Sequence, residues 1–348
     1  MMGRFATTVS AVIAFLALTA VTVGIAAFVY LAALDKPSGT INVEGTQFAV
    51  GQGESGASVA RRLAADGAIR SELLFRLLMK ARGFEQSLKA GDYLIKPEQG
   101  SSSILEMIAE GRQVLVRLTV PEGASLQAIA RVAEAAGVAN AADVIAAASD
   151  PALAKELGLY PPSAVGYLFP DTYLLPRNAG GQALVKIMVE TFGKRLSEAV
   201  PESAALSPRE LHDRVVLASI VEREYRVADE APLMASAFLN RLRIGMALQS
   251  CATVVYVITD RLGKQHPSRI FDRDLKLDDP FNTYLHPGLP PEPICNPGLT
   301  ALSASLRPAT SDFLYFRLVD EASGRHYFSE TLDEHIQAAA LSVKPRSP

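Results

Sequence analysis

The N-terminal segment of the chain is long and carries no charged side chain. From Phe5 to Leu34 there is no Asp, Glu, Lys or Arg. A helix that spans a bilayer needs roughly 20 apolar residues, whereas the apolar core of a cleaved signal peptide is usually about 7–15 residues long. The length therefore predicts an uncleaved transmembrane helix at 6–34. A cleaved signal peptide is the alternative.

The charges on either side of this helix bear on its orientation. Arg4 and the amino terminus precede it, whereas Asp35 and Lys36 follow it and add no net positive charge. Positively charged flanks tend to remain in the cytoplasm. We therefore expect a cytoplasmic tail at 1–5 and a single-pass protein of the inner (plasma) membrane. The bulk of the chain then lies in the periplasm or extracytoplasmic space.

Composition limits the classes of protein that the chain can belong to. Its 348 residues are 49% hydrophobic and 20% charged, with a net charge of -3, so two or three packed domains are expected. Lys and Arg (34) nearly balance Asp and Glu (37) without a long basic run, and nucleic acid is not expected as a partner. The chain has only two cysteines, Cys251 and Cys295, which are too few for a disulfide scaffold. A single disulfide between them is compatible with the sequence.

Two segments beyond the apolar helix are similar to each other. VGQGESGASVAR (50–61) and VPEGASLQAIAR (120–131) align at a constant offset, with Gly53 opposite Gly123. Each is typical of a strand, a glycine-containing turn and an amphipathic helix. Between the copies, an alternating apolar segment around Tyr93 is followed by a helical pattern at 103–110. The pattern predicts a compact β-α module, because a solenoid would need about three repeats or more.

The first copy also contains the pattern GxGxxG at 51–56. A dinucleotide site would need a second strand that ends in an acidic residue about 20 positions later, and instead Glu72 begins a helical pattern. We therefore expect no cofactor.

The segment that begins at Ser207 predicts a helix with an acid on its apolar face. Ser207, a following proline and Glu210 form a capping-box pattern. Within ASIVERE (218–224), the aliphatic residues and Glu224 recur at helical spacing. Desolvation by such neighbours would raise the pKa of Glu224 toward the range of a general acid. The alternative is an ordinary buried network or an ion pair with an arginine of the next helix, Arg241 or Arg243.

Glu222 is expected on a different face of the same helix. At about 100° per residue it lies some 200° from Glu224 around the axis. Arg226 follows it at i+4, a spacing that suits an ion pair on a solvated surface. Of the two acids, Glu224 is therefore the better candidate for catalysis.

Polar residues are concentrated in the segments that follow this helix. A second amphipathic helix at 233–245 precedes MALQS, and the segment 281–298 is too rich in proline and glycine for regular structure. A hairpin (313–318 and 326–329) and a C-terminal helix end the chain. The notable polar residues of the first two segments are Asn240, Arg241, Gln249, Asn282, Thr283, Tyr284, His286 and Asn296.

These motifs together carry a family resemblance. ASIVERE, FLNRLRIGMALQS, PFNTYLHPGLPP with ICNPG, and HYFSETLDEH resemble, in order and spacing, the endolytic murein transglycosylase family (MltG, YceG-like). KAGDYL, the VPEG turn and GYLFPDTY extend the resemblance upstream. It implies an α+β protein with a single N-terminal transmembrane helix, a LysM-like module at 40–118, a second β-α/helical connecting region at 119–206 and a lytic transglycosylase catalytic domain at 207–345.

The resemblance also implies a function. The implied function is that of a membrane-anchored carbon–oxygen lyase, which cleaves the MurNAc–GlcNAc bond within peptidoglycan strands and forms 1,6-anhydro-MurNAc ends. Such an enzyme acts in cell wall assembly and remodelling. The implied partners are peptidoglycan strands, the membrane and peptidoglycan synthases, with no metal. The implied catalytic acid is Glu224. The candidates for sugar binding are Asn240, Gln249, Asn282, Tyr284 and Asn296, with Glu222, Arg241, Thr253 and Thr283 as secondary candidates.

Several positions depart from the family pattern. Tyr225 stands where a threonine is usual, and Cys251 and Ala252 replace part of an Asp-Pro-Thr run. Glu292 and Val165 are further departures. Loss of hydrogen-bonding groups at these positions would weaken or alter activity. The chain retains Glu224, however, and this argues against an inactive enzyme.

Two other functions are consistent with parts of the sequence. A non-catalytic scaffold that binds peptidoglycan would share the membrane helix and the LysM-like module. A metallohydrolase is the other, because the C-terminal third contains His266, His286, Cys295, His326 and His335. No HExxH or paired Cys/His spacing supports the metallohydrolase.

Overall fold

The computed structural model describes residues 2–160 and 163–341 of a mixed α+β protein. The chain forms two compact units, one up to Leu115 and one from Val116 onward. The strands are β1 (Thr46–Val50), β2 (Gly91–Ile95), β3 (Leu115–Thr119), β4 (Thr172–Pro176), β5 (Tyr315–Asp320) and β6 (Arg325–Ser329). The helices are α1 (Met2–Leu34), α2 (Gly56–Ala65), α3 (Glu72–Ala81), α4 (Ser101–Glu110), α5 (Leu126–Ala135), α6 (Ala141–Ala148), α7 (Pro151–Glu156), α8 (Gly181–Ala199), α9 (Pro208–Glu224), α10 (Ala231–Arg243), α11 (Cys251–Tyr256), α12 (Leu299–Leu306) and α13 (Leu332–Gln337).

The first unit begins with the apolar helix α1. Its segment Phe15–Leu34 has a mean hydropathy of 2.2, and none of its residues is buried within the protein. Its length and composition suit a membrane span and also an N-terminal signal sequence. The structure therefore contains one N-terminal apolar helix of the kind that anchors a protein in a membrane.

The remainder of the first unit is a small β-α module with its own core. β1 pairs antiparallel with β2, Phe48 opposite Tyr93. Phe48, Tyr93, Phe75 and Ile104 are buried together between this sheet and the helices α2 to α4. Ser55 caps α2 through the amide of Ser58.

The second copy of the repeat opens the second unit. β3 precedes the turn and α5 follows it, with Ser125 as the N-cap residue in the position of Ser55. Gly53 and Gly123 both have a positive φ, of 72° and 70°, which glycine adopts without strain. The predicted strand–turn–helix form of both copies is confirmed.

Helix α9 lies at the centre of the second unit. It begins with the predicted capping box, in which Ser207 and Glu210 exchange side-chain and backbone hydrogen bonds. Every residue from Val215 to Val221 is buried, and α9 contacts both α10 and α12. Because the middle of the helix is enclosed, its C-terminal turn has a fixed position.

The segment 281–298 contains no strand or helix and packs along α9. The hydroxyl of Ser219 accepts a hydrogen bond from the amide of Ile294 at 3.0 Å, and the thiol of Cys295 donates to the carbonyl of Ser219 at 3.2 Å. Cys295 is buried while Cys251 is exposed, and both are free thiols.

The C-terminal hairpin matches the sequence prediction. β5 and β6 pair antiparallel, with Phe316 opposite Phe328. Helix α13 follows and begins with a capping box of Thr331 and Glu334. Phe316 packs edge-on against Phe238 of α10, with 5.3 Å between ring centroids, and this contact fixes the hairpin beside α10.

Candidate active site

The last residue of α9, Glu224, faces an open pocket of about 330 Å³. Its neighbour across the pocket floor is Ser250, whose hydroxyl donates a hydrogen bond to Oε1 of Glu224. The amide of Ala252 is a second donor to this carboxyl group. The pocket is lined by Glu224, Phe238, Arg241, Leu248, Gln249, Ser250, Cys251, Tyr284, Tyr315, Phe316, Leu332 and His335.

Burial raises the pKa of Glu224 above its ordinary value of 4.5, although the donors Ser250 and Ala252 and the charge of Arg241 each lower it in part. The residue keeps some accessible surface because it lines the pocket. Among the described residues that line this pocket, Glu224 is the one carboxylic acid. The pocket therefore holds a single group that can donate a proton from a carboxyl.

Arg241 lies close to Glu224 without forming an ion pair with it. Its guanidinium donates to the carbonyl of Leu314 at 2.6 Å and to that of Leu248 at 2.6 Å, and it lies 5.1 Å from the ring centroid of Tyr315. In the part of the chain that the structure describes, no arginine nitrogen lies within 4.0 Å of the Glu224 carboxyl. Arg241 therefore braces the pocket wall and contributes positive charge at a distance.

Thr253 and Thr283 position the residue that contacts Glu224. Thr283 accepts a hydrogen bond from the amide of Ser250 at 3.1 Å, and its hydroxyl lies 3.0 Å from that of Thr253. Both threonines are buried, at 0% and 1% exposure, so neither is open to a ligand. Their contacts hold Ser250 in place beneath the Glu224 carboxyl.

Gln249 and Tyr284 line the pocket, as a sugar-binding role requires. Gln249 is exposed and has a φ of 49°, a conformation that non-glycine residues rarely adopt. The Tyr284 hydroxyl lies 3.1 Å from the thiol of Cys251. Cys251 therefore lies at the pocket wall beside Tyr284.

Three asparagines predicted to bind sugar lie in the scaffold instead. The amide of Asn240 donates to the carbonyls of Ser311 and Phe313 at 2.7 and 3.0 Å, and that of Asn282 donates to Leu275 and Leu277. Asn240, Asn282 and Asn296 are 6%, 0% and 0% exposed. None of them lines the pocket, and their side-chain amides bond to backbone groups. These three asparagines are therefore not positioned to contact a sugar in the pocket.

Asn296 connects three separate segments of the chain. Its Oδ1 accepts hydrogen bonds from the amides of Gly166 and Leu168 at 2.8 and 3.0 Å, and its Nδ2 donates to the carbonyl of Ala124 at 3.0 Å. The GYLFPDTY segment, the VPEG turn and the ICNPG loop are therefore held together by one buried amide.

The expectation for Glu222 was wrong, since it does not lie on a solvated face paired with Arg226. It is partly buried, and Oε2 accepts a hydrogen bond from the amide of Gly298 at 3.0 Å. Gly298 is the N-cap residue of α12, so Glu222 joins the last turn of α9 to the start of α12. The pKa of Glu222 is raised to about 7, chiefly by burial and also by the nearby charge of Glu122, although the hydrogen bond from Gly298 and the charge of Arg223 lower it in part.

This raised pKa predicts a pH-dependent stability. Because the folded-state pKa of about 7 exceeds the ordinary 4.5, the fold favours the protonated form, and stability is lost as pH rises from about 4.5 to 7. Between pH 5 and pH 8 the free energy of unfolding should therefore fall less in Glu222→Gln than in the parent protein. Allowing for solvent screening, we expect a difference of about 1–3 kcal/mol. Denaturant unfolding followed by circular dichroism at pH 5 and pH 8 measures it. An unchanged pH dependence in the variant would contradict the assignment.

Sequence reasoning did not predict that Ser250 and His335 would line this pocket. Ser250 follows Gln249 directly, and proximity to the predicted site was its only sequence signal. His335 belongs to the HYFSETLDEH motif, and burial lowers its pKa, as do the charges of Arg317 and Arg241, which keeps the imidazole neutral. Its Nδ1 is buried without a hydrogen-bond partner in the described part of the chain.

The other histidines are dispersed. His286 lies on the surface, 3.6 Å from Asp278, and His326 contacts Glu230 at 2.8 Å. Within residues 2–160 and 163–341, no group of three or more His, Cys, Asp or Glu side chains is arranged to hold a metal ion.

The fold and the pocket define a class: a mixed α+β protein whose pocket contains one desolvated carboxylic acid in a wall of aromatic and polar side chains. The model of the YceG-like family matches residues 48–341, and the chain belongs to this family.

Curated relatives and a solved structure agree with this assignment. The endolytic murein transglycosylase of Bacillus subtilis (strain 168) is 29% identical over 339 residues, which cover 92% of this chain and 91% of that protein. The endolytic murein transglycosylase of Streptococcus pneumoniae serotype 2 (strain D39) is 28% identical over 85% of this chain, which spans 58% of that longer protein. A YceG-like protein from Listeria monocytogenes, solved by crystallography, superposes with a TM-score of 0.54 at 30% identity, covering 85% of this chain and 99% of the other.

Proposed function

We propose that this chain is an endolytic murein transglycosylase, which cleaves the MurNAc–GlcNAc bond within glycan strands and leaves 1,6-anhydro-MurNAc ends. The observation that carries the proposal is the desolvated carboxyl of Glu224 in an open pocket, in a chain whose relatives are named endolytic murein transglycosylases. Burial keeps the acid protonated to higher pH, which suits a proton donor.

One carboxyl group is sufficient for this reaction. Glu224 would donate its proton to the bridging oxygen, while the acetamido group of the substrate stabilises the charge that develops at C1. It would then remove the proton from the C6 hydroxyl as that oxygen attacks C1 and closes the anhydro ring. Hydrolases of the usual kind need a second carboxylate to activate water or form a covalent intermediate, and Glu224 has no such partner among the described lining residues.

The other lining residues would hold the sugars. Gln249 and the hydroxyl of Tyr284 offer hydrogen bonds, and the rings of Tyr315 and Phe316 offer apolar faces for sugar rings. Thr253 and Thr283 act indirectly in this proposal, by fixing Ser250. Arg241 would favour the anionic form of Glu224 at the stage when that residue acts as a base.

The N-terminal helix supports a proposal for the location of the protein. We place 1–5 in the cytoplasm and 6–34 in the inner membrane, with the bulk of the chain in the periplasm or extracytoplasmic space. The β-α module at 40–118 would act as a LysM-like unit that binds glycan, 119–206 as a connecting region and 207–345 as the catalytic domain. Peptidoglycan synthases are suitable partners, because an enzyme that cuts nascent strands acts where they are made.

Product analysis tests this function. The full-length protein in detergent should release fragments with anhydro-MurNAc ends from purified peptidoglycan, as measured by mass spectrometry. Ordinary reducing ends would identify a hydrolase. Binding without any new ends would favour the non-catalytic scaffold, and activity that is lost with a strong chelator would favour a metallohydrolase.

The Ser250 hydrogen bond gives a prediction for the pH profile of this activity. Ser250 donates to Glu224 and lowers its pKa, so Ser250→Ala should raise that pKa. Because the acid must be protonated, activity falls as pH rises through its pKa, and the alkaline limb should move up by about one pH unit. Initial rates between pH 5 and pH 9 measure the shift. A limb that stays in place or moves down would contradict the role of Ser250.

A further inference from the structure

A second open groove lies in the same unit as the Glu224 pocket and has a different lining. Its volume is about 830 Å³, and its walls are the turn before α5, the first turns of α5, and the segment 259–266 that follows α11. The basic residues that line it are Arg131, Arg223, Arg261, Lys264 and His266, and the acidic ones are Glu122 and Asp260. The sugar-cleavage mechanism uses none of these side chains.

Two acids lie among these cations. The carboxyl of Glu122 is turned toward Gly298, where an added Cβ would lie 2.1 Å from its Oε1. Asp260 accepts a hydrogen bond from the hydroxyl of Thr259 at 2.7 Å. Arg261 is likewise paired, with Asp279 at 2.6 Å.

Three cations of the groove are exposed and have no such contact. Arg131, Arg223 and Lys264 are exposed, and over residues 2–160 and 163–341 none of them has a carboxylate within 4.0 Å. The four Arg and Lys side chains of the lining outnumber its two acids, and an excess of positive charge along a concave wall attracts anionic ligands. The groove therefore suits an anion that offers several carboxylates.

The last turn of α9 connects this groove to the Glu224 pocket. Glu224 lines the pocket and its neighbour Arg223 lines the groove. Consecutive Cα atoms are about 3.8 Å apart, and side chains at i and i+1 diverge by about 100° around a helix. The pocket and the groove therefore share the last turn of α9, and a ligand that extends past this turn would contact both.

Peptidoglycan carries such substituents. Each MurNAc bears, on its lactyl group, a stem peptide with free carboxylates. We infer that the groove around Arg131, Arg223 and Lys264 binds the carboxylates of stem peptides on the glycan strand whose sugars occupy the Glu224 pocket. This inference rests on the proposed function, because it takes peptidoglycan as the ligand.

A binding experiment tests the inference separately from catalysis. Labelled glycan strands with free peptide carboxylates are compared with the same strands after conversion of those carboxylates into amides. The protein is the full chain with Glu224→Gln, so that the strands stay intact, and affinity is measured by fluorescence anisotropy. We expect the free-carboxylate strands to bind about three- to tenfold more tightly, as two or three exposed charge pairs would give.

Charge reversal in the groove should remove this preference. Arg131→Glu with Lys264→Glu should lower the affinity ratio to one or below, and the milder pair Arg131→Gln with Lys264→Gln should lower it in part. Lys194→Glu with Lys276→Glu makes the same change in net charge at exposed positions outside the groove and should leave the ratio intact. Equal affinity of the unreversed protein for both strands, or a ratio that only the control pair lowers, would overturn the inference. Failure of the proposed function would appear differently, as absence of anhydro ends from the protein with Glu224 intact.

Discussion

Glu224→Gln should abolish the formation of anhydro-MurNAc ends, with turnover lowered by about 10²- to 10⁴-fold, the usual contribution of a general acid or base. The amide has nearly the same shape as the protonated acid and can still accept the hydrogen bond from Ser250. It cannot supply a proton to the leaving oxygen. Substrate affinity should therefore change far less than kcat, and the rate of anhydro-end formation at saturating substrate measures the loss.

The same variant should not lose stability. Burial raises the pKa of Glu224 in the folded state above 4.5, so the stability associated with this group is fully present below about pH 4.5 and declines as pH rises through the folded-state pKa. Gln has no ionisable group and avoids this decline. We expect an unfolding midpoint for Glu224→Gln equal to or above that of the parent protein at pH 8.

Glu222→Gln is the matched control, because it is the same substitution two positions earlier on the same helix. Glu222 accepts a hydrogen bond from Gly298 and does not line the pocket. Its replacement should retain most of the turnover. If Glu222→Gln abolished anhydro ends while Glu224→Gln retained them, the two acids would have to exchange roles in the mechanism.

Local patterns were sufficient to predict the elements that present Glu224. The capping box at Ser207 and the apolar spacing of ASIVERE depend on residues three to seven positions apart, and both follow from helix geometry. The same holds for the repeated strand–turn–helix copies and for the C-terminal hairpin. An acid at the end of an apolar helical face could thus be recognised before its surroundings were known.

Contacts between distant segments could not be predicted in this way. The expected partner of Glu222, Arg226, is four residues away, whereas the observed one, Gly298, is separated from it by 76 residues. Polar composition likewise marked the loop 281–298 without indicating which side chains face inward. Asn282 faces the scaffold and Tyr284 the pocket, although they are two residues apart.

Asn296→Ala should destabilise the fold more than any other change considered for the predicted sugar-binding residues. Its amide makes three hydrogen bonds to backbone groups that are 128 to 172 residues away in the sequence, and the residue is 0% exposed. Removing the amide leaves the buried N–H groups of Gly166 and Leu168 without a partner, at a cost of about 3–5 kcal/mol, while the carbonyl of Ala124 keeps its hydrogen bond from the backbone amide of residue 296. For a unit of this size the unfolding midpoint should fall by about 10 °C. Thermal unfolding followed by circular dichroism measures it.

Gln249→Ala is the comparison for Asn296→Ala, since Gln249 and Asn296 were both predicted from the sequence to bind sugar. Gln249 is exposed on the pocket wall, and its backbone amide, which donates to the carbonyl of Thr283 at 3.1 Å, is retained by alanine. We expect its unfolding midpoint to remain within about 2 °C of the parent while KM for glycan strands rises, because an exposed side chain adds little to stability. If Asn296→Ala instead raised KM with an unchanged midpoint, its amide would have to reach the sugar, and the structural role argued from its three backbone contacts would be wrong. A lower midpoint for Asn296→Ala together with a higher KM for Gln249→Ala would separate the residue that joins three segments from the one that meets the substrate.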